Sequence, residues 1–249
     1  MKGTTIVITA TEFKKNLGMY IDYVSEDNEV VVTKNGRKAL RLTPYITEIE
    51  QYFMVKENAL DNQYGGKKVS YEEFMEIYEK SDLRMEYING EIVLLSSPST
   101  SHQDISGNLH VKLREYLKGK DCKVFYAPFD VHFYKLEIDT PDVMQPDLLI
   151  VCDLEGNVTE KGRYMGTPTL CVEILSKSTR SKDMVDKLNT FMMSGVKEYW
   201  LVDPFKHTVI VYLFNSFEIE EYATFKGEES LVSYHFAGLQ IPLGEIFEQ

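Results

Sequence analysis

The chain has few cysteines, no long apolar run and no sign of a targeting segment. None of its 249 residues lie in a run of about 18 apolar residues, so we expect no transmembrane helix and no membrane partner. Met1–Ala10 lacks the apolar stretch and the cleavage site of a signal peptide, so we expect a cytoplasmic protein. Cys122, Cys152 and Cys171 match neither a disulfide framework nor a zinc-ligand spacing, and we expect buried thiols.

Positive charge is also scarce. The formal net charge is −12, from 27 basic and 39 acidic side chains. Residues 1–50 hold seven side chains of each sign, and the rest of the chain holds 20 basic and 32 acidic ones. With this excess of acidic side chains, residues 51–249 offer little general electrostatic attraction to duplex DNA. A nucleic-acid function would therefore need a local basic patch or metal ions.

The first 45 residues read as a small β-α-β-β unit. Thr4–Ile8 alternates as a strand does, and Thr9 or Thr11 can cap a helix that runs to about Ser25. Asn35-Gly36 is a strong hairpin signal between two further strands. A unit of this size buries little core, which predicts dimerisation or packing on another domain. We assign residues 1–45 to this domain and residues 46–68 to a helical linker.

Residues 69–249 predict a larger domain with a mixed α+β sheet flanked by helices. Ser70 opens a capping box for a helix, and Asn89-Gly90 indicates a second hairpin. The other main elements are a helix over Gln103–Lys118, buried strands over Leu148–Cys152 and Thr169–Leu175, and a helix over Lys182–Met193. Loops at Leu136–Met144 and Asp153–Thr167 are where we expect substrate preference to be set.

Two carboxylates in the buried strands are the main candidates for chemistry. Asp147 stands at the start of one strand, and Glu173 lies within another apolar strand. Burying the Glu173 carboxylate without a partner would cost on the order of several kcal/mol, because the charged group loses its hydration. A divalent cation such as Mg²⁺ or Mn²⁺ is one partner, since it prefers oxygen ligands, and Lys187 on the next helix is another. The alternative to a metal site is a buried ion pair with a structural role.

From about residue 70 to 215, the sequence resembles the Uma2 family of PD-(D/E)xK endonuclease-like proteins. The matching motifs, in chain order, are Arg84–Glu91, Ser97-Pro98 with His102-Gln103, Gln145–Leu148, Gly166–Pro168, Val172–Ser176 with Ser178-Thr179, Asp183 with Lys187-Leu188, and Gly195–Trp200 with Asp203-Pro204. The resemblance implies a restriction-endonuclease-like core, which is a mixed central sheet flanked by helices. It also implies a Mg²⁺- or Mn²⁺-dependent site for phosphodiester hydrolysis.

The same resemblance assigns roles to individual residues. Asp147 matches the acidic residue of the PD step, and Glu173 matches the acidic residue of the (D/E)xK step. The lysine of that step is replaced by Leu175, and Lys187 is expected to serve instead, with Lys177 as a second candidate. The implied catalytic residues are therefore Asp147, Glu173 and Lys187.

Further residues are implied as ligands or contacts. Glu86 matches an acidic position of the first strand and is a third candidate metal ligand, for which Glu91 competes. His102, which we expect just before a helix, is a candidate metal ligand, substrate contact or positioning residue. Gln103 is a candidate substrate contact or positioning residue. Asp183 lies one helical turn before Lys187 and belongs to the same group.

Residues 3–45 resemble the N-terminal module of the Phd/YefM antitoxins, through Ile8–Gly18 and Glu29–Arg37. That resemblance implies a homodimer that binds operator DNA, and a toxin partner. The positions that match the DNA contacts are Thr9, Thr11, Lys14, Lys15, Asn35 and Arg37. The alternative is that the module serves only as a dimer clamp.

The main hypothesis is a metal-dependent nuclease of the Uma2 type, dimerised by an antitoxin-like module and acting on nucleic acid, most readily DNA. The alternative is a non-catalytic DNA-binding regulator whose nuclease-fold domain is inactive. A nuclease acting on RNA or on structured DNA differs from the first only in substrate.

Overall fold

The computed structural model describes residues 4–25, 28–43, 65–176 and 181–248, and for 181–183 it describes the backbone alone. The chain divides into two compact units, Met1–Asn62 and Gln63–Gln249. Residues 46–64 of the predicted helical linker lie outside the described residues. Within the described part of the chain, no helix has both the length and the apolar composition needed to cross a bilayer.

The first unit is a three-stranded sheet with two short helices. The strands are β1 (Thr5–Thr9), β2 (Glu29–Lys34) and β3 (Arg37–Leu42), and the helices are α1 (Ala10–Lys15) and α2 (Leu17–Ser25). β2 lies in the middle, parallel to β1 and antiparallel to β3. The hydrophobic core of the first unit contains Ile8, Tyr20, Val24, Val30 and Val32. Asn35 and Gly36 both take positive φ, as a tight hairpin turn requires.

The single helix predicted to run to about Ser25 is divided into two helices, α1 and α2, in the structure. Thr9 caps α1, and its hydroxyl accepts a hydrogen bond from Glu12 N. Asn16 leaves the helical conformation, at φ −127° and ψ 36°, and α2 restarts at Leu17. Asparagine has a low helix propensity, and the break lets α2 direct Tyr20 and Val24 into the core.

The second unit contains twelve strands and four helices among the described residues. The strands are β4 (Met85–Ile88), β5 (Glu91–Leu94), β6 (Lys123–Tyr126), β7 (Val131–Phe133), β8 (Asp142–Met144), β9 (Leu148–Val151), β10 (Leu170–Ile174), β11 (Glu198–Asp203), β12 (Thr208–Asn215), β13 (Glu218–Lys226), β14 (Ser230–Val232) and β15 (Gln240–Pro242). The helices are α3 (Tyr71–Lys80), α4 (Thr100–Tyr116), α5 (Ser181–Met193) and α6 (Leu243–Phe247).

A six-stranded sheet in the order β13-β12-β11-β10-β9-β6 forms the centre of this unit. Only β10 and β11 run parallel, and the other neighbours are antiparallel. A second sheet of four strands has the order β5-β4-β8-β7. The mixed sheet flanked by helices agrees with the predicted fold class, but β8 lies in a segment predicted as loop.

Alternate residues of the central strands face two separate cores, as the two-residue period of a strand requires. Val172 and Ile174 of β10 pack with Ile105, Leu109 and Leu113 of α4. Cys171 packs on the other face with Phe191 of α5. Glu173 shares the face of Cys171, so its side chain points toward α5. This alternation is what brings Glu173 and the helix that carries Lys187 together.

Helix α4 begins earlier than the sequence predicted. Ser99 caps it, and the Ser99 hydroxyl accepts a hydrogen bond from His102 N at 3.3 Å. His102 therefore lies in the first turn of the helix rather than before it. This cap is worth about 1 kcal/mol, and it orients the side chains of the first turn.

The prediction of three buried thiols was wrong. Cys122 and Cys152 form a disulfide, and only Cys171 is a free buried cysteine among the described residues. The two half-cystines flank β6 and β9, whose antiparallel register pairs Lys123 with Val151. The separation of 30 residues carries no pairing information, because the contact arises from strand register.

Candidate active site

An acidic cleft opens at one end of the central sheet, where β10 and β11 end and β9 begins. It has a volume of about 620 Å³, and Glu86, Asp147, Glu173 and Lys187 line it. β4 supplies Glu86, β10 supplies Glu173, α5 supplies Lys187, and Asp147 directly precedes β9. The name acidic cleft refers to the space that these four residues line.

Lys187 lies between two of the three carboxylates. Its ammonium nitrogen is 2.9 Å from Glu173 Oε1 and 3.1 Å from each carboxylate oxygen of Glu86. Glu86 is almost fully buried, and its Oε1 also accepts a hydrogen bond from Gln145 N at 2.9 Å. The second oxygen of Glu86 is buried without a well-directed hydrogen bond. Glu86 is therefore part of the acidic cleft, whereas its competitor Glu91 does not line it.

Asp147 is held against the strand that carries Glu173. Its Oδ2 accepts a hydrogen bond from Ile174 N at 2.8 Å and lies 3.1 Å from His102 Nε2. The backbone bond places Asp147 next to Glu173 across the β9–β10 pair. His102 thus touches a cleft carboxylate, and its Nδ1 is buried without a partner among the described residues.

Too little positive charge faces these carboxylates. Burial raises the pKa of Glu173, Lys187 lowers it, and the charges of Asp147 and Glu86 raise it further, so the net shift is upward. Burial lowers the pKa of Lys187, but Glu173 and Glu86 raise it by more, so Lys187 remains an ammonium ion. One ammonium for three carboxylates leaves their negative charge only partly compensated, because Arg84, which also lines the cleft, forms no ion pair with a carboxylate of the described residues.

Each cleft carboxylate has an oxygen atom without a well-directed hydrogen bond from a described residue, and such oxygens are suitable ligands for a divalent cation. Glu86 Oε2 lacks a well-directed hydrogen bond, and Asp147 Oδ1 and Glu173 Oε2 accept no hydrogen bond from a described residue. Hard oxygen donors of this kind suit Mg²⁺ or Mn²⁺. Across residues 4–25, 28–43, 65–176 and 181–248, no three His, Cys, Asp or Glu side chains are already grouped as metal ligands. The Lys187 ammonium occupies the space between Glu86 and Glu173.

The remaining predicted residues have separate outcomes. Gln103 lines the cleft beside His102, and Leu175 lines it where the common motif has a lysine. The side chain of Asp183 and the whole of Lys177 lie outside the described part of the chain.

The six predicted DNA-contact positions of the first unit are all exposed. β1 and β2 are parallel, and Thr9 pairs with Thr33. The start of α1 and the Asn35-Gly36 turn therefore lie at the same end of the sheet. The members of this group are Thr9, Thr11, Lys14, Lys15, Asn35 and Arg37.

The sequence reasoning missed Arg84 as a cleft residue. Arg84 lines the cleft, and its Nη2 and Nε donate to Gln145 Oε1 at 2.9 and 3.3 Å. It forms no ion pair with a carboxylate of the described residues, although three carboxylates share its cleft. Arg84 does begin the first motif of the family resemblance, and that position was the available signal.

The second unit has a mixed α/β fold with a mixed central sheet flanked by helices. One structural match is to a crystal structure described as "a putative nuclease" from Anabaena variabilis. That match has a TM-score of 0.57 and 20% sequence identity, and it covers 70% of this chain and 96% of the other. At that identity the likeness concerns the fold alone.

The family match covers a similar share of the chain. The profile of the Uma2 family, described as "Putative restriction endonuclease", matches residues 71–244, and the chain belongs to this family. Two proteins of Synechocystis are similar to it. Uncharacterized protein slr1290 is 25% identical over 135 residues, which is 54% of this chain and 68% of that protein. Uncharacterized protein sll1609 is 24% identical over 139 residues, 55% of this chain and 76% of that protein.

Proposed function

We propose that this protein is a divalent-metal-dependent nuclease that hydrolyses phosphodiester bonds of nucleic acid, most readily DNA, in the acidic cleft. The observation that carries the proposal is the meeting of Glu86, Asp147, Glu173 and Lys187 in one cleft of a Uma2-family domain. A purely structural ion pair would need one carboxylate for one lysine. The excess of carboxylates supports a site that takes up a further cation.

Each cleft residue has a role in this proposal. Asp147, Glu173 and Glu86 would hold Mg²⁺ or Mn²⁺, which when bound supplies Lewis-acid polarisation of the phosphate and activation of the attacking water. Lys187 would orient that water or offset the charge that develops on the phosphate. His102 Nε2 would donate to the Asp147 carboxylate and keep it in position. Gln103 and Asp183 complete the group of proposed contacts.

The test is cleavage of single-stranded, duplex and branched DNA and RNA in Mn²⁺ and in Mg²⁺. Wild type, Asp147→Asn and Lys187→Met are purified in parallel, with Asp121→Asn as a control on an exposed aspartate outside the cleft. We expect cleavage by wild type and Asp121→Asn, and a loss of about 100-fold or more in the two cleft variants. Equal cleavage by all four proteins would mean a contaminating nuclease and would contradict the proposal.

The competing function is a regulator that binds nucleic acid without cutting it. It is favoured by one observation: the Lys187 ammonium already fills the space between Glu86 and Glu173. Calorimetry with Mn²⁺ separates the two functions. The nuclease function requires that wild type binds Mn²⁺ and that Asp147→Asn binds it more weakly. If wild type binds no Mn²⁺, or if the variant binds it with unchanged affinity, the regulator is favoured.

We propose further that the first unit forms a homodimer and binds operator DNA through its six exposed candidate positions at the start of α1 and around the β2–β3 turn. Five large apolar side chains of this small unit are about half exposed or more, which is what an unpartnered interface presents. They are Val7, Leu17, Met19, Ile21 and Leu40. Light scattering of a chain without residues 1–60 should show a monomer, and a dimer would contradict the clamp. A toxin partner remains part of this proposal.

A further inference from the structure

Two exposed aromatic rings line the acidic cleft. Tyr126 is 58% exposed and Phe205 is 59% exposed, and both belong to the residues that form the cleft wall. Exposing rings of this size to water is unfavourable. Neither ring has a role in metal binding or proton transfer, so the proposed hydrolysis leaves them unexplained.

The backbone holds both rings beside the carboxylates. Tyr126 ends β6, and the next residue, Ala127, donates its N–H to Asp147 O at 3.2 Å. The Tyr126 ring meets the His110 ring edge-on, with centroids 4.9 Å apart. These contacts fix Tyr126 at the level of the Asp147 backbone.

Phe205 is fixed at the end of the strand next to Glu173. Asp203 Oδ1 accepts hydrogen bonds from Phe205 N and Lys206 N, at 2.9 and 3.1 Å. This turn follows β11, which pairs in parallel with β10 and aligns Val202 with Ile174. Phe205 therefore lies just beyond the carboxyl end of the strand that carries Glu173.

The size and charge of the cleft argue against a duplex as the bound form. A volume of about 620 Å³ suits a ligand of about one or two nucleotides. The protein carries a net charge of −12, which gives it little of the general attraction that duplex binding uses. Arg84 is a cleft cation with no acidic ion-pair partner among the described residues, and its guanidinium suits a single phosphate contact.

We propose that the acidic cleft takes an unpaired nucleic-acid strand, whose bases stack on Tyr126 and Phe205 while Arg84 contacts a phosphate. The inference rests on the proposed nuclease function and names its substrate class. Stacking on aromatic side chains is the usual way in which proteins hold unpaired bases. It also compensates for the weak attraction that an acidic protein offers to phosphate.

Fluorescence anisotropy with short labelled oligonucleotides tests this inference, in Ca²⁺ and again in EDTA. The probes are single-stranded DNA, single-stranded RNA and the DNA duplex of the same sequence. The variants are Tyr126→Ala and Phe205→Ala, with Tyr126→Phe and Phe205→Tyr as conservative replacements. Tyr222→Ala is the matched control, because Tyr222 is 67% exposed and does not line the cleft.

We expect wild type to bind a single strand more tightly than the duplex. Each alanine variant should lose about 5- to 150-fold in single-strand affinity, which is the range for one stacked base. The conservative variants and Tyr222→Ala should bind as wild type does. Tighter binding of the duplex, unchanged affinity in both alanine variants, an equal loss in Tyr222→Ala, or no binding of any probe would overturn the proposal.

Cleavage in Mn²⁺ separates this inference from the nuclease function on which it rests. Cleavage of single strand and duplex at equal rates, unaffected by the two alanine substitutions, would retain the nuclease and refute the single-strand preference. Single-strand binding that depends on Tyr126 and Phe205, with no cleavage by any protein, would refute the nuclease and retain the binding mode. The DNA and RNA probes then tell which unpaired strand is preferred.

Discussion

Replacing Lys187 by methionine should destabilise the fold measurably. The ammonium group contacts Glu173 at 2.9 Å and both oxygens of Glu86 at 3.1 Å, and the Lys187 side chain is only 14% exposed. Removing one partner of a buried ion pair costs about 3–5 kcal/mol, because the other charge stays buried without compensation. The remaining exposure of Lys187 and Glu173 favours the lower limit, and we expect a loss of about 3 kcal/mol in the free energy of unfolding.

Urea unfolding followed by circular dichroism measures this loss, and Mn²⁺ shows what kind of site has been opened. If the carboxylates are metal ligands, Mn²⁺ should stabilise Lys187→Met more than it stabilises wild type. Mn²⁺ at about 100 times its dissociation constant would raise the free energy of unfolding by about 2.7 kcal/mol. Lys135→Met is the matched control, since Lys135 forms a more deeply buried ion pair with Asp142 outside the cleft.

Two results would refute this reasoning. A loss below about 1 kcal/mol in Lys187→Met would mean that the contacts behave as a surface ion pair does. A gain from Mn²⁺ no larger in Lys187→Met than in wild type would mean that the freed carboxylates do not take up a cation. The Lys135→Met protein should be destabilised as well, but with the Mn²⁺ response of wild type.

Three further predictions concern stability. Burial lowers the pKa of His132 to about 4; the unfolded chain therefore binds the proton first as the pH falls below about 6.5. Wild type should then lose about 2 kcal/mol between pH 8 and pH 5 through this residue, and urea titrations of His132→Gln should lack that part of the pH dependence. Reducing the Cys122–Cys152 disulfide, which closes a 30-residue separation, should lower the unfolding free energy by about 3.6 kcal/mol, and an unchanged urea midpoint would contradict this. Gly166→Ala would place a Cβ 2.6 Å from the Tyr164 hydroxyl, and thermal unfolding should show a loss of about 1–3 kcal/mol.

Much of the candidate site could be predicted from the sequence, because short local patterns and motifs mark its residues. Asp147 and Glu173 stand out as acidic residues in apolar strands, and the family resemblance led to Glu86 and Lys187. The structure places the four in one cleft, while their chemical roles stay predictions. Tyr126 and Phe205 could not be selected in this way, since an exposed ring has no sequence signature of its own. Arg84 had a signal, because it begins the first motif of the family resemblance, but it was not selected.

The sequence by itself determined the features that depend on neighbouring residues. Asn35-Gly36 and Asn89-Gly90 form their turns because both residues of each pair accept a positive φ. Ser70 caps α3 at the predicted residue because the capping bond spans only three positions.

Tertiary structure alone decided the features that depend on distant segments. Lys187 meets Glu86 across 101 residues, and Cys122 meets Cys152 because β6 and β9 pair in one particular register. The pairing of β8 with β4 likewise makes a strand of a segment that has no strand signal of its own. Such contacts arise when strands and helices pack, since the free energy that selects a register comes from burying whole faces.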